Sequence, residues 1–111
     1  IANNADRKGG HCLLDELGHI WAIDNGLCFH EHDKLRSVIW DWAGERIPPA
    51  LYDEIVVGVT ALTGDDARAE GVRELLSPRE FEAISRRADR LLQTARFPVP
   101  GEVRHYPWPL I

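Results

Sequence analysis

From residue 3 to residue 29 the chain reads NNADRKGGHCLLDELGHIWAIDNGLCF. Residues 1–11, with paired glycines and a cluster of Asn and Asp, are loop by composition. Cys12-Leu13-Leu14 reads as a short strand, Asp15 to Gly18 as a turn, and His19-Ile20-Trp21-Ala22-Ile23, rich in β-formers, as a second strand. Together they predict a small antiparallel hairpin. Asp24-Asn25-Gly26 breaks the pattern, and Leu27-Cys28-Phe29 follows as a brief apolar run. The hairpin lies between two acids, Asp6 and Asp24, and is expected to fold them toward one shared pocket. Phosphoryl transfer needs such a pair. One carboxylate accepts or orients the proton of an attacking hydroxyl, and another holds a divalent cation against polyphosphate.

Beyond the hairpin, His30 to Lys34 is polar and irregular, and Leu35 to Trp42 is mainly apolar and aromatic. Ile47-Pro48-Pro49 is a stop signal, because proline lacks an N–H and restricts the residue before it. Leu51, Ile55, Val59 and Leu62 then recur at helical spacing, with Gly64 where a helix would end. Asp65 to Leu76 predicts a shorter helix. Ser77-Pro78-Arg79-Glu80 predicts a capped start: a hydroxyl for a free N–H, proline at the first turn, and Glu three residues on to close a capping box. The helix that follows carries Phe81, Ile84, Ala88, Leu91, Leu92 and Ala95 on one face and Glu82, Arg86, Arg87 and Arg90 on the other, the latter expected as a solvated face. It should end near Arg96, before Pro98. The tail Tyr106-Pro107-Trp108-Pro109-Leu110-Ile111 cannot be regular helix and is apolar enough to pack back on the body. The expected fold class is α+β, mainly α: a short β-hairpin followed by helices, in one small domain over residues 1–111.

Composition narrows the function classes. The 111 residues are 44% hydrophobic and 28% charged, which suits a globular domain with one modest core. A net charge of −5, with Arg and Lys interleaved among Asp and Glu, argues against a nucleic-acid module. Two cysteines do not make a disulfide scaffold, so a reduced, cytoplasmic setting is expected. No apolar run approaches the roughly 18 residues a membrane span requires, and no leader-like segment is evident. The first residue is Ile1, and the chain opens on a loop, which suggests a fragment of a longer protein.

NNADRKGGH followed by AIDNGLCFH resembles the catalytic and metal-binding segments of the phosphatidylinositol 3-/4-kinase superfamily. The similarity is nearest to the type II phosphatidylinositol 4-kinases and looser to HipA-type protein kinases. The chain also resembles a conserved actinobacterial family distantly similar to those kinases, through Lys34-Leu35-Arg36, Trp40-Asp41-Trp42-Ala43-Gly44 and the Tyr106-Pro107-Trp108-Pro109 tail. The resemblance implies part of a kinase-like C-terminal lobe, with the catalytic loop, hairpin and metal motif in residues 1–29, a mainly helical remainder in 30–111, and the N-terminal lobe absent. By the same resemblance Asp6 matches the catalytic aspartate, Arg7 supports its loop, and Asp24 matches the metal-binding aspartate. His11 falls five residues after Asp6, where these kinases place a metal-binding Asn. The implied cofactors are ATP and Mg²⁺ or Mn²⁺, and the implied partner is a hydroxyl acceptor that is a lipid, a small polyol or a protein. The parent protein would be a phosphotransferase, and this chain alone would be inactive, lacking the Gly-rich phosphate loop and the nucleotide-contacting Lys.

Other readings of the same residues stay open. His11 implies an altered metal set, a substitute ligand in Asn3 or Asn4, or a catalytically impaired module that binds nucleotide or protein. Asp24-Asn25-Gly26 also fits a tight hairpin turn, and Asp6 an Asx-turn. Cys28, His30, Glu31 and His32 invite a zinc reading, but no second ligand cluster completes four positions. Trp21, Trp40, Trp42 and Trp108 are expected as core and cover residues.

Overall fold

A computed structural model describes residues 1–111. The hairpin forms as the β-formers on either side of Asp15–Gly18 predict. β1 (Cys12–Leu14) pairs antiparallel with β2 (Ile20–Ala22), with Leu13 opposite Trp21. Its turn is held by Asp15, whose carboxylate accepts the N–H groups of Leu17 and His19 and the Trp21 indole N–H, each at 2.9 Å. Those bonds, the indole's first, hold the Asp15 carboxyl below the usual Asp range. Gly18 takes the left-handed conformation that closes the turn, φ 81°. A 3-10 turn at Gly9–His11 leads into β1.

Three helices follow: α1 (Pro49–Thr63), α2 (Ala67–Leu75) and α3 (Pro78–Thr94). Each starts where the chain offers a beginning. Pro49 sits at the first position of α1, the Asp66 side chain accepts the Ala69 N–H, and Ser77 with Glu80 forms the complete capping box. Gly64 ends α1 in an extended conformation, not a left-handed one, and the Arg73 guanidinium covers the free helix end by donating to the Gly64 carbonyl at 2.6 Å. α3 stops two residues before the expected Arg96, because Ala95 turns left-handed (φ 49°). Residues 44–47 then pair with residues 95–97, through Ile47 N–H to Ala95 O at 2.9 Å and Phe97 N–H to Glu45 O at 2.9 Å.

The core lies on the inner side of α3, where Ala83, Ile84 and Ala88 are buried with Ala69 of α2 and Ile47. α1 packs against both α2 and α3, and the Tyr52 hydroxyl donates to Leu92 O at 3.0 Å. Three of these five buried residues are alanines, so the core is thin. Three of the four tryptophans stand outside it: of residues expected as core and cover, Trp21, Trp42 and Trp108 are exposed and only Trp40 is half-buried. The tail does pack back, through buried Pro107 and a Ser37 N–H to His105 O bond of 3.0 Å.

On α3 Glu82, Arg86 and Arg90 are exposed, as expected of a solvated face, but Arg87 is not. The Arg87 side chain is only 10% exposed. It donates to Ile1 O at 2.8 Å and His30 O at 3.1 Å, and pairs with Asp33. Arg90 reaches the same Asp33 at 3.4 Å. These bonds dock the helical half onto the loop half. The fold is therefore a small α+β domain with one two-stranded sheet and three helices. No helix is long and apolar enough to cross a membrane.

Candidate active site

The loop before β1 is fixed by main-chain pairing on both sides. Ala5 N–H donates to Leu27 O (2.9 Å) and Phe29 N–H to Ala2 O (2.7 Å). On the other side Arg36 N–H donates to Asn4 O, Arg7 N–H to Arg36 O and Val38 N–H to Arg7 O, each at 3.0 Å. A segment with no regular secondary structure thus gains the rigidity that a catalytic group requires.

The two asparagines ahead of Asp6 belong to this scaffold. Asn3, left-handed at φ 57°, donates through its carboxamide to His30 O (3.2 Å) and His32 O (2.7 Å) and accepts the Lys34 N–H (2.8 Å). Asn4 accepts the Asp6 N–H at 2.8 Å, closing an Asx-type turn over Asp6. Both are buried, and each carboxamide oxygen already accepts a main-chain N–H.

Asp6, His11 and Asp24 come together. One ligand atom from each lies within 4.8 Å of the other two. The hairpin does this: Ile23 N–H donates to His11 O at 2.9 Å, extending the β pairing to the residue before Asp24. Arg7 then clamps the two ends, donating to His11 O (3.0 Å), to Ile23 O (2.9 Å) and to the Asn25 side-chain oxygen. Its guanidinium is spent on the loops and on neither carboxylate. Lys8 is the cation beside Asp6, at 3.5 Å.

His11 Nδ1 lies 2.9 Å from the Asp6 carbonyl oxygen. A carbonyl only accepts, so Nδ1 carries the proton. Nε2 then faces Asp24 Oδ2 at 3.5 Å. Asp24 is left-handed, φ 52°, with its side chain 65% exposed. Asn25 is drawn to Arg7 and, through its amide, to Ala22 O at 3.2 Å. The Asp24-Asn25-Gly26 stretch is therefore no hairpin turn, for no strand follows it.

The alternative zinc grouping does not assemble. His30 Nδ1 accepts the His32 N–H within the loop, and no cluster of metal-type side chains forms around Cys28, His30, Glu31 and His32. Burial pushes the Cys28 thiol above its ordinary value, which leaves it a poor nucleophile. Arg87, which ties α3 to Ile1, His30 and Asp33, carries no signal in the sequence: it is one arginine among several.

The chain is similar to Protein Rv2133c of Mycobacterium tuberculosis (strain ATCC 25618 / H37Rv), with 40% identity over 109 residues, covering 98% of this chain and 38% of that protein. The chain thus spans well under half of that relative's length. No protein-family model matches it, and no solved structure does.

Proposed function

We propose that the chain is the catalytic-loop and cation-binding portion of an ATP-dependent phosphotransferase acting on a hydroxyl acceptor. The observation that carries this reading is the meeting of Asp6, His11 and Asp24 across the hairpin, from positions separated by β1 and β2. Asp6 has its backbone pinned by Asn4 and its carboxylate beside Lys8, and is the group to accept or orient the acceptor's proton. Asp24 and His11 are the residues that would hold a divalent cation, Mg²⁺ or Mn²⁺. Such an ion, when bound, supplies charge neutralisation at the transferring phosphoryl group. The donor set fits a divalent ion, with the Asp24 carboxylate and an imidazole whose Nδ1 is held by a carbonyl, and with the Asp6 carboxylate beside them. Arg7 keeps the proton-accepting and cation-binding loops in register. Residues that cradle the nucleotide's phosphates are not evident in this chain and would come from the remainder of a longer protein.

Phosphotransfer from ATP by the full-length protein tests the reading, with lipid, polyol and protein acceptors compared. Asp6→Ala and Asp24→Asn should each lower the rate about 100-fold or more, the usual scale for losing a general base or a charge stabiliser. Asp6→Ala activity equal to wild type would remove Asp6 from the chemistry. The replacement of an amide by His11 favours a second reading, a kinase-like module that binds nucleotide without turnover. A nucleotide-dependent rise in melting temperature with no phosphotransfer to any acceptor would select it.

A further inference from the structure

The side chains at residues 6, 11 and 24 also bear on which cation is taken, an inference that rests on His11 and Asp24 forming the cation site described above. Two are carboxylates and one is an imidazole. The imidazole is oriented from behind by its Nδ1–H bond to Asp6 O, 2.9 Å, which leaves Nε2 as the nitrogen available to a cation. A backbone carbonyl holding the far nitrogen in this way is the usual outer partner of a metal-ligating histidine, setting its tautomer and raising its basicity. Nε2 is directed at a carboxylate oxygen, Asp24 Oδ2 at 3.5 Å.

The charges leave room for a cation. Asp6 has Lys8 at 3.5 Å, and Arg7 is occupied by two carbonyls and Asn25. Asp24 meets no Lys or Arg side chain. The geometry is close to what an ion needs. Ligand atoms bound at about 2.1 Å stand at most about 4.2 Å apart, and these lie within 4.8 Å. The exposed Asp24 side chain can close that gap.

Mg²⁺ takes oxygen ligands in a strict octahedron and keeps much of its water, whereas imidazole nitrogen suits the first-row transition metals. We propose that the His11–Asp24 cation site, beside Asp6, selects a first-row transition-metal dication over Mg²⁺, and that His11 is the residue that sets this preference.

Chelator-stripped full-length protein would be titrated with Mn²⁺, followed by the loss of the free-ion electron-spin signal, and then competed with Mg²⁺ and with Zn²⁺. Wild type should hold Mn²⁺ at least ~10-fold more tightly than Mg²⁺, with Zn²⁺ displacing Mn²⁺. His11→Asn, which makes the ligand set all oxygen, should cut the Mn²⁺-to-Mg²⁺ affinity ratio by ~10-fold or more without weakening Mg²⁺. Asp24→Asn should weaken every ion. Circular dichroism of each variant checks that the fold is kept, and His11→Gln serves as a second oxygen-donor variant should His11→Asn not fold. Absence of Mn²⁺ binding, or an equal ratio in wild type and the oxygen-donor variant, overturns the proposal. A His11-dependent preference in a protein without phosphotransfer would uphold the proposal and remove the phosphotransferase reading. Phosphotransfer on an Mg²⁺-preferring site indifferent to His11 would do the reverse.

Discussion

Replacing Asp24 with glycine separates the backbone at the candidate site from its chemistry. Asp24 holds φ 52°, a conformation that costs an ordinary L-residue roughly 1–2 kcal/mol and Asp somewhat less. Glycine relieves that strain but adds about 0.5–1 kcal/mol of freedom to the unfolded chain. The lost side chain gives up little, for it is two-thirds open to water and meets no Lys or Arg side chain, with only His11 Nε2 at 3.5 Å. Removing it also relieves repulsion from Asp6 nearby. The sum is near zero, within roughly 1 kcal/mol either way, or about 4 °C in melting temperature for a domain of this size. Cation binding should respond quite differently. A divalent ion at 100 times its dissociation constant stabilises the folded state by about 2.7 kcal/mol, and Asp24→Gly should abolish that increment. Thermal melts of both proteins with and without Mn²⁺ supply the test. A loss of 2 kcal/mol or more in metal-free buffer would make Asp24 a structural residue, and an undiminished Mn²⁺ shift in the variant would show that the ion binds elsewhere.

Further outcomes follow from single contacts. Ile84 is 1% exposed in a core of small residues, and Ile84→Ala should cost about 3 kcal/mol by urea denaturation. Arg87→Ala removes two charge-assisted bonds to main-chain carbonyls and the pairing with Asp33. It should cost about 3 kcal/mol and raise hydrogen exchange at residues 30–34, and unchanged exchange there would refute its docking role. Arg7→Lys cannot reproduce the fork to His11 O, Ile23 O and Asn25, so Mn²⁺ affinity should fall about 10-fold with the charge kept. The Glu80 carboxyl sits below the usual Glu range because it accepts the Ser77 N–H. Its contribution is therefore complete above the unfolded carboxyl value and is lost as pH falls through the lower folded value. Glu80→Gln should flatten the acid limb of stability against pH, and a profile superimposable on wild type would exclude Glu80 as its source.

The local elements were legible because each rests on neighbours in the chain. β-formers flanking Asp15–Gly18 specify the hairpin, and Ser77-Pro78-Arg79-Glu80 specifies the start of α3 whatever surrounds it. The hairpin's length alone placed Asp24 back near Asp6. Three features escaped because they depend on partners distant in sequence. Arg87 looked like one more solvated arginine, but His30 O and Asp33 draw it inward. Asn3 and Asn4 looked free to serve as ligands, but the main chain of residues 30–34 and of Asp6 uses them. The tryptophans looked like core, but the buried positions went to Ala83, Ile84 and Ala88 on the inner side of α3.

What the amino-acid order determined by itself was the inventory of elements, since propensity, capping and turn bonds act over a few residues. What only the tertiary structure decided was the tautomer of His11, the commitment of Arg7 to the loops instead of to a carboxylate, and the burial of Arg87. Each of these is fixed by a carbonyl oxygen many positions away along the chain or across a turn, and long-range main-chain acceptors leave no mark on the residues that will find them.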